Sequence, residues 1–359
     1  MTFNIAINTR FSTRPMTGVD RVAHELTQAM TSVGENFSIQ GLAPRNTVIS
    51  PLSIPVIHGF LSGHLWEQLE LPTKIRDAFL LSPCNTGPIM VRNQILIIHD
   101  AQTWIHPEAY SPQFRYWYQF LLPRLARKSR LVITISEYSR SQLEKFGVVP
   151  PGKARIMQNG ADHILRISPD VDTLARHGLT DNGYFLALGS LSPHKNLSLL
   201  MRAAAARPEG QPPLVIAGGG NSRVFAAAGL APPPGVRLLG RVTDNELRAL
   251  YEHATALVFP SLTEGFGLPP LEAMLCGCPT LVATAGAIPE VCGNASIYID
   301  PRDEAGWTRA MLEIANNSAQ RNTARIAGSI QAAPFTWERA ARQVIEHLSH
   351  ELAGEETCS

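Results

Sequence analysis

Glu264 and Glu272 stand with seven residues between them in the stretch Pro260-Ser261-Leu262-Thr263-Glu264-Gly265-Phe266-Gly267-Leu268-Pro269-Pro270-Leu271-Glu272-Ala273-Met274. The stretch follows a strand-length apolar run, Ala256 to Phe259. Gly265 and Gly267 let the backbone approach a bound molecule closely. Pro269 or Pro270 suits the first helical position, and Gly277 with Pro279 marks the helix end. A short helix so placed turns its positive end and its free N–H groups toward whatever lies before it, which makes a seat for phosphate or sugar hydroxyls. With Glu264 in the loop and Glu272 in the first turns, both carboxylates can address one ligand. The spacing alone recurs often by chance, so the elements around it decide its meaning.

Short β-branched runs alternate with longer amphipathic stretches along the whole chain, the pattern that a parallel α/β sheet requires. The first half predicts strands at Phe3 to Asn8, Ile95 to His99 and Leu131 to Ile135. The second half predicts them at Tyr184 to Leu188, Leu214 to Ala217, Val236 to Leu239, Ala256 to Phe259, Thr280 to Ala283 and Ile297 to Ile299. Asn159-Gly160-Ala161-Asp162 and Ser168-Pro169-Asp170 form a polar, turn-rich link between the halves. The expected segmentation is a first domain over 1–165, a second over 166–334, and a terminal helix and tail over 335–359, with Thr336 as N-cap and Val344 and Leu348 facing inward. Two doubly wound sheets carry ligands at the carboxyl ends of their strands, so an interdomain cleft is the expected site. In the first domain Thr17-Gly18-Val19-Asp20-Arg21 joins the first strand to a helix whose Val22, Leu26 and Met30 face the core.

The stretch 260–274 resembles the signature of the retaining nucleotide-sugar glycosyltransferases grouped as family four. That resemblance implies a GT-B fold of two Rossmann-like domains facing a cleft. It gives Glu264 a contact with the donor sugar and Glu272 hydrogen bonds from the nucleotide ribose, with the backbone of Gly265, Phe266, Gly267 and Leu268 beside the donor. Leu188-Gly189-Ser190-Leu191-Ser192-Pro193-His194-Lys195-Asn196 is similar to the family loop that supplies a lysine to the donor diphosphate, where a point cation neutralises the departing phosphates. Many members carry arginine where Ser190 stands, and a close subgroup reads Pro-Arg-Lys-Asn where this chain has Pro193-His194-Lys195-Asn196. Lys195 is therefore the main cation. Gly240-Arg241-Val242-Thr243-Asp244-Asn245-Glu246-Leu247 resembles the segment near the nucleobase, with the backbone around Val242 as its binding part and Thr243 or Asp244 capping the next helix. Ile98-His99-Asp100 matches a place where the family puts a histidine against the donor sugar, and Gly18 lets a donor phosphate or the acceptor lie near the chain. Trp66-Glu67-Gln68-Leu69-Glu70-Leu71-Pro72, Ser136-Glu137-Tyr138-Ser139 and Asn159-Gly160 resemble a bacterial mannosyltransferase-like subgroup.

Several other chemistries are disfavoured. With 31 Lys plus Arg against 30 Asp plus Glu the net charge is +1, so no global field gathers nucleic acid. Charged residues make up only 17% of the chain and apolar ones 45%, which predicts well-buried elements rather than disorder. No apolar run approaches the ~20 residues of a membrane span, and the N-terminus lacks a secretory pattern, so a cytoplasmic location is expected. Cys84, Cys276, Cys278, Cys292 and Cys358 are scattered and odd in number, which reads as reduced structural thiols. Asp170-Val171-Asp172 has the spacing of a metal-dependent transferase motif but follows Pro169 in the link. Ala217-Gly218-Gly219-Gly220 lacks the third glycine of a dinucleotide fingerprint because Arg223 stands there, and no Gly-x-Ser-x-Gly elbow exists. The helix signal from Phe114 to Arg130 mixes aromatics with Arg115, Arg124, Arg127, Lys128 and Arg130. It fits a core helix with a basic outer face, or a surface for anionic lipid or a lipid diphosphate.

The expectation is thus a retaining, metal-independent hexosyltransferase. It takes a nucleotide-diphosphate sugar, with GDP-mannose favoured, and a glycan or polyprenyl-diphosphate-linked acceptor of cell-surface polysaccharide assembly, with peripheral contact at the inner membrane face. A GT-B epimerase would convert donor without acceptor, and a non-catalytic nucleotide-sugar-binding protein would not turn over.

Overall fold

The computed structural model describes residues 3–33, 37–45, 52–75, 77–189, 192–218 and 232–356. Two compact units share the chain. One comprises Met1–Gly160 with Thr336–Ser359, and the other comprises Ala161–Phe335.

The first unit is a seven-stranded sheet of β1 (Phe3–Asn8), β2 (Phe37–Ala43), β3 (Val56–His58), β4 (Phe79–Ser82), β5 (Gln94–Ile97), β6 (Leu131–Thr134) and β7 (Ala154–Ile156). Their order is β3-β2-β1-β4-β5-β6-β7, and every pairing is parallel. All four residues of β5 and of β6 are buried, as befits strands covered on both faces. The helix Gly18–Val33 follows β1 and buries Val22, Leu26 and Met30. The helix Trp337–Glu356 packs on it. Thr336 caps that last helix by accepting from Arg339 N at 3.2 Å, and Val344 and Leu348 are buried. The last helix is therefore part of the first unit rather than a separate tail, and the chain passes between units at Gly160 and Phe335.

The second unit holds β8 (Phe185–Leu188), β9 (Leu214–Ala217), β10 (Val236–Gly240), β11 (Ala256–Phe259), β12 (Thr280–Ala283) and β13 (Ile297–Ile299), in the order β10-β9-β8-β11-β12-β13, again all parallel. Its core packs Phe185, Leu200, Ile216, Val258, Leu281 and Trp307 between sheet and helices. Each such side chain contributes roughly 1.5–3 kcal/mol by leaving water.

Both sheets run outward in two directions from one central pair, β1 and β4 in the first unit and β8 and β11 in the second. The two chain directions part at that pair, so the following loops separate and leave a crevice at the strands' carboxyl ends. Both units are doubly wound Rossmann-like sheets, as the alternation of elements predicted.

Candidate active site

In the second unit the loops after β8 and β11 meet at the switch point. Asn196 occupies the left-handed region at φ 55° and reaches across with its amide, donating to Pro260 O at 3.1 Å and Pro301 O at 2.7 Å. Leu262 N donates to His194 O at 2.7 Å. This lacing brings Lys195 Nζ to 2.7 Å from Glu264 Oε1, with 23% and 15% of the two side chains exposed. The ammonium also lies 5.7 Å from the Phe259 ring centroid. Gly286, at φ +61°, holds the other side of the loop. A Cβ there would lie 2.5 Å from Glu264 N, and Ala287 N donates to Glu264 O at 3.0 Å. The acid is thus fixed through its own backbone.

The helix Leu268–Leu275 begins at Gly267, whose φ of +111° and closeness to Ile288 admit only glycine. Leu268 takes the first helical position. Pro269 and Pro270 follow it, so neither proline opens the helix as the sequence suggested. Proline is tolerated there because the first-turn N–H groups have no intrahelical partner. The cost is that two of those donors are missing, and the anion seat at this end is narrower than the sequence suggested. The Phe266 side chain is buried edge-on to Phe335 at 6.0 Å, which leaves its backbone for a ligand, and Gly265 is buried too.

Glu272 is 8% exposed, and both of its oxygens are engaged. Tyr251 Oη donates to Oε2 at 3.0 Å, and His163 Nε2 lies 3.2 Å from Oε1. Burial, reinforced by the neighbouring carboxylate, pushes the Tyr251 hydroxyl well above its usual range and keeps it a donor. Sequence reasoning missed both partners. Val242 lies half-buried in the turn after β10, and Thr243, not Asp244, caps the helix Asp244–His253 in a capping box with Glu246.

In the first unit His99 lies two residues past β5, 2% exposed, with Nε2 2.7 Å from Pro83 O and its backbone N donating to Asn85 Oδ1 at 2.7 Å. That side-chain acceptor replaces the ladder, which is why the strand stops before His99. Burial lowers the imidazole pKa below its usual value, and a proton on Nε2 leaves Nδ1 as an acceptor. A Cβ on Gly18 would meet no atom within 4 Å, so the start of its helix is open. The same strand ends hold a fully buried carboxylate. Glu67 accepts from Asn8 Nδ2 at 2.8 Å, Arg10 Nη1 at 2.9 Å and Thr86 Oγ1 at 2.6 Å. Burial opposes its ionisation, but His64, Arg10, Thr86 and Asn8 outweigh that and hold its pKa down. Nothing in the spacing of Asn8, Arg10 and Thr86 points to a shared role, because the network forms only in three dimensions.

Other sequence readings resolve as follows. Ser190 lies outside the described residues, as do Leu191, Gly219, Gly220 and Arg223. Asp170 pairs with Arg176 at 2.7 Å and accepts from Asp172 N at 3.0 Å, so this acidic pair braces the link. Cys276, Cys278 and Cys292 are buried and unbridged, and burial pushes the Cys278 thiol up to about 12, which keeps it protonated. The helix Pro112–Lys128 buries Leu121, Leu122, Leu125 and Ala126 but exposes Phe114, Tyr116 and Phe120. With His64 and Trp117 those three rings border an open cavity of about 870 Å³. The helix is therefore core along one stripe only. Among the described residues no helix is long and apolar enough to cross a membrane.

The chain has relatives among known proteins. The family described as glycosyl transferases group 1 matches residues 182–317. O-antigen chain mannosyltransferase B of Escherichia coli is 30% identical over 269 residues, covering 72% of this chain and 70% of that protein. O-antigen chain mannosyltransferase RfbU of Salmonella typhimurium is 27% identical over 255 residues, 69% of this chain and 68% of that one. The crystal structure of Anabaena HepE in complex with UDP and glucose aligns with a TM-score of 0.72 over 97% of this chain and 100% of its own, at 18% identity. Sucrose-phosphate synthase from Thermosynechococcus elongatus aligns at 0.73 over 98% and 100%, at 16% identity. The chain belongs to the group 1 glycosyltransferases and has their GT-B fold.

Proposed function

We propose that this glycosyltransferase moves mannose from GDP-mannose to a growing cell-surface glycan and retains the anomeric configuration. The observation that carries the reading is the Lys195–Glu264 pair, a cation and an acid held together at the switch point of the second sheet. Lys195 stabilises charge on the leaving diphosphate, and Glu264 accepts from a hydroxyl of the donor sugar as its ring becomes oxocarbenium-like. Glu272 accepts from the ribose. The backbone of Gly265 to Leu268 lies along the donor, and that around Val242 receives the base. In the first unit, taken by itself, neutral His99 offers an acceptor to a hydroxyl, and the open turn at Gly18 admits phosphate. The family and the mannosyltransferases it resembles support mannose and a glycan acceptor. The exposed rings of the Pro112–Lys128 helix, with Arg124, Arg127 and Lys128 exposed beside them, support a lipid-linked acceptor reached at a membrane surface.

The test offers GDP-mannose and UDP-glucose in parallel with a mannosyl oligosaccharide acceptor, and determines the new linkage by NMR. Transfer from GDP-mannose with an α-linkage is expected. Transfer from UDP-glucose alone, or an inverted linkage, overturns the reading. Conversion of the donor without acceptor identifies an epimerase instead.

A further inference from the structure

Three elements distant in sequence converge on one carboxylate. Glu272 comes from the helix Leu268–Leu275, Tyr251 from the end of the helix Asp244–His253, and His163 from the short turn Asp162–Arg166. Tyr251 is fully buried and His163 is 3% exposed, so neither is placed as a surface group a ligand meets first. Each meets a different oxygen of Glu272: Tyr251 Oη donates to Oε2 at 3.0 Å, and His163 Nε2 lies 3.2 Å from Oε1. A carboxylate offers about four lone-pair sites, so these two contacts leave acceptor capacity on both oxygens while restricting the freedom of the group to rotate.

We propose that Tyr251 and His163 are positioning residues that aim the remaining lone pairs of Glu272 at the vicinal hydroxyls of the donor ribose, making this pair the source of ribose-over-deoxyribose selectivity. The inference rests on the reading of Glu272 as the ribose acceptor. A fixed acceptor is what lets a site reject an analogue lacking one hydroxyl, because the buried group is then left unpaired. A carboxylate able to swing would adapt, and the discrimination would fade. Tyr251 belongs to the same helix whose capped start borders Val242, so the segment proposed to meet the base also orients the group proposed to meet the sugar ring next to it.

The experiment measures, by calorimetry on the full chain, the affinities for GDP against 2′-deoxy-GDP and for UDP against 2′-deoxy-UDP. Wild-type protein is expected to prefer the ribo form of its nucleotide about tenfold or more. Glu272→Gln removes that preference. Tyr251→Phe and His163→Leu reduce it to within about threefold, His163→Gln restores part of it by returning an N–H donor, and the loss appears in the donor KM far more than in kcat. Glu272→Gln losing the preference while Tyr251→Phe and His163→Leu keep it overturns the positioning role and leaves the ribose reading standing. No ribo preference in the wild type, or no binding of either pair, removes the ribose reading and the inference with it. A Tyr251→Phe chain that fails to melt cooperatively also overturns the inference, since the hydroxyl would then support the fold rather than aim a carboxylate.

Discussion

Lys195 Nζ lies 2.7 Å from Glu264 Oε1, so the cation proposed for the diphosphate is paired with the acid proposed for the sugar. A donor carrying both groups exchanges this one contact for two. Glu264→Gln releases the ammonium while removing the acid. Its affinity for GDP is expected to hold or tighten, while kcat falls about 100-fold or more. Lys195→Ala is expected to weaken GDP and lower kcat together. Calorimetry with steady-state rates reads both, and a Lys195→Ala enzyme with the parental rate removes the lysine from the mechanism.

Glu272→Ala is expected to act on binding. Loss of hydrogen bonds to a charged group costs about 1.5–3 kcal/mol, a roughly 10- to 100-fold weaker nucleotide. Unchanged nucleotide affinity in this variant would falsify the ribose role.

His99 sets a pH dependence. Its folded pKa lies below the ordinary histidine value, so below about pH 6.5 the unfolded chain takes up a proton that the folded chain resists. Its contribution to stability is complete above that value and is lost as pH falls, by at most about 1.4 kcal/mol per pH unit. Melting temperatures from pH 7.5 to 5.5 should fall less steeply in His99→Gln than in the parent, and equal slopes would exclude a buried neutral imidazole.

Gly286→Ala tests the backbone support of Glu264. Alanine at φ +61° is strained, and its Cβ would press on Glu264 N. A loss of at least about 1 kcal/mol, a melting shift of roughly 2–4 °C, is expected with a fall in kcat larger than the fall in GDP affinity. A variant with normal kcat separates the loop from the chemistry.

Turnover is expected to persist in excess EDTA, since Lys195 and backbone donors take the diphosphate charge in the proposed mechanism. Loss of activity on chelation, restored by a divalent ion, contradicts it.

The second sheet was far more legible in the sequence than the first. β9, β11, β12 and β13 fall on the predicted residues because they are compact apolar runs set off by turn residues. β2, β3, β4 and β7 were not foreseen. β2 carries Ser38, Gln40 and Gly41 and is partly exposed, while β3 and β7 are three-residue edge strands, and β7 exposes Arg155. Edge strands lack the two-sided burial that leaves an apolar signature. At the site, the glycine-rich loop around Glu264 was readable because local backbone needs select its residues. Tyr251 and His163 were not, because a buried tyrosine and a turn histidine look like ordinary packing until folding brings them to Glu272.

The second unit is inserted within the first, and this has a consequence for synthesis. Residues 161–335 form one contiguous block that can complete its contacts as soon as it leaves the ribosome. The first unit must wait for the helix Trp337–Glu356, which packs on the Gly18–Val33 helix, so the face it covers there stays open for roughly fifteen to sixty seconds of elongation. Nascent chains stalled before Thr336 should therefore recruit chaperones through residues 18–33, and codon choice across 161–335 becomes a determinant of yield.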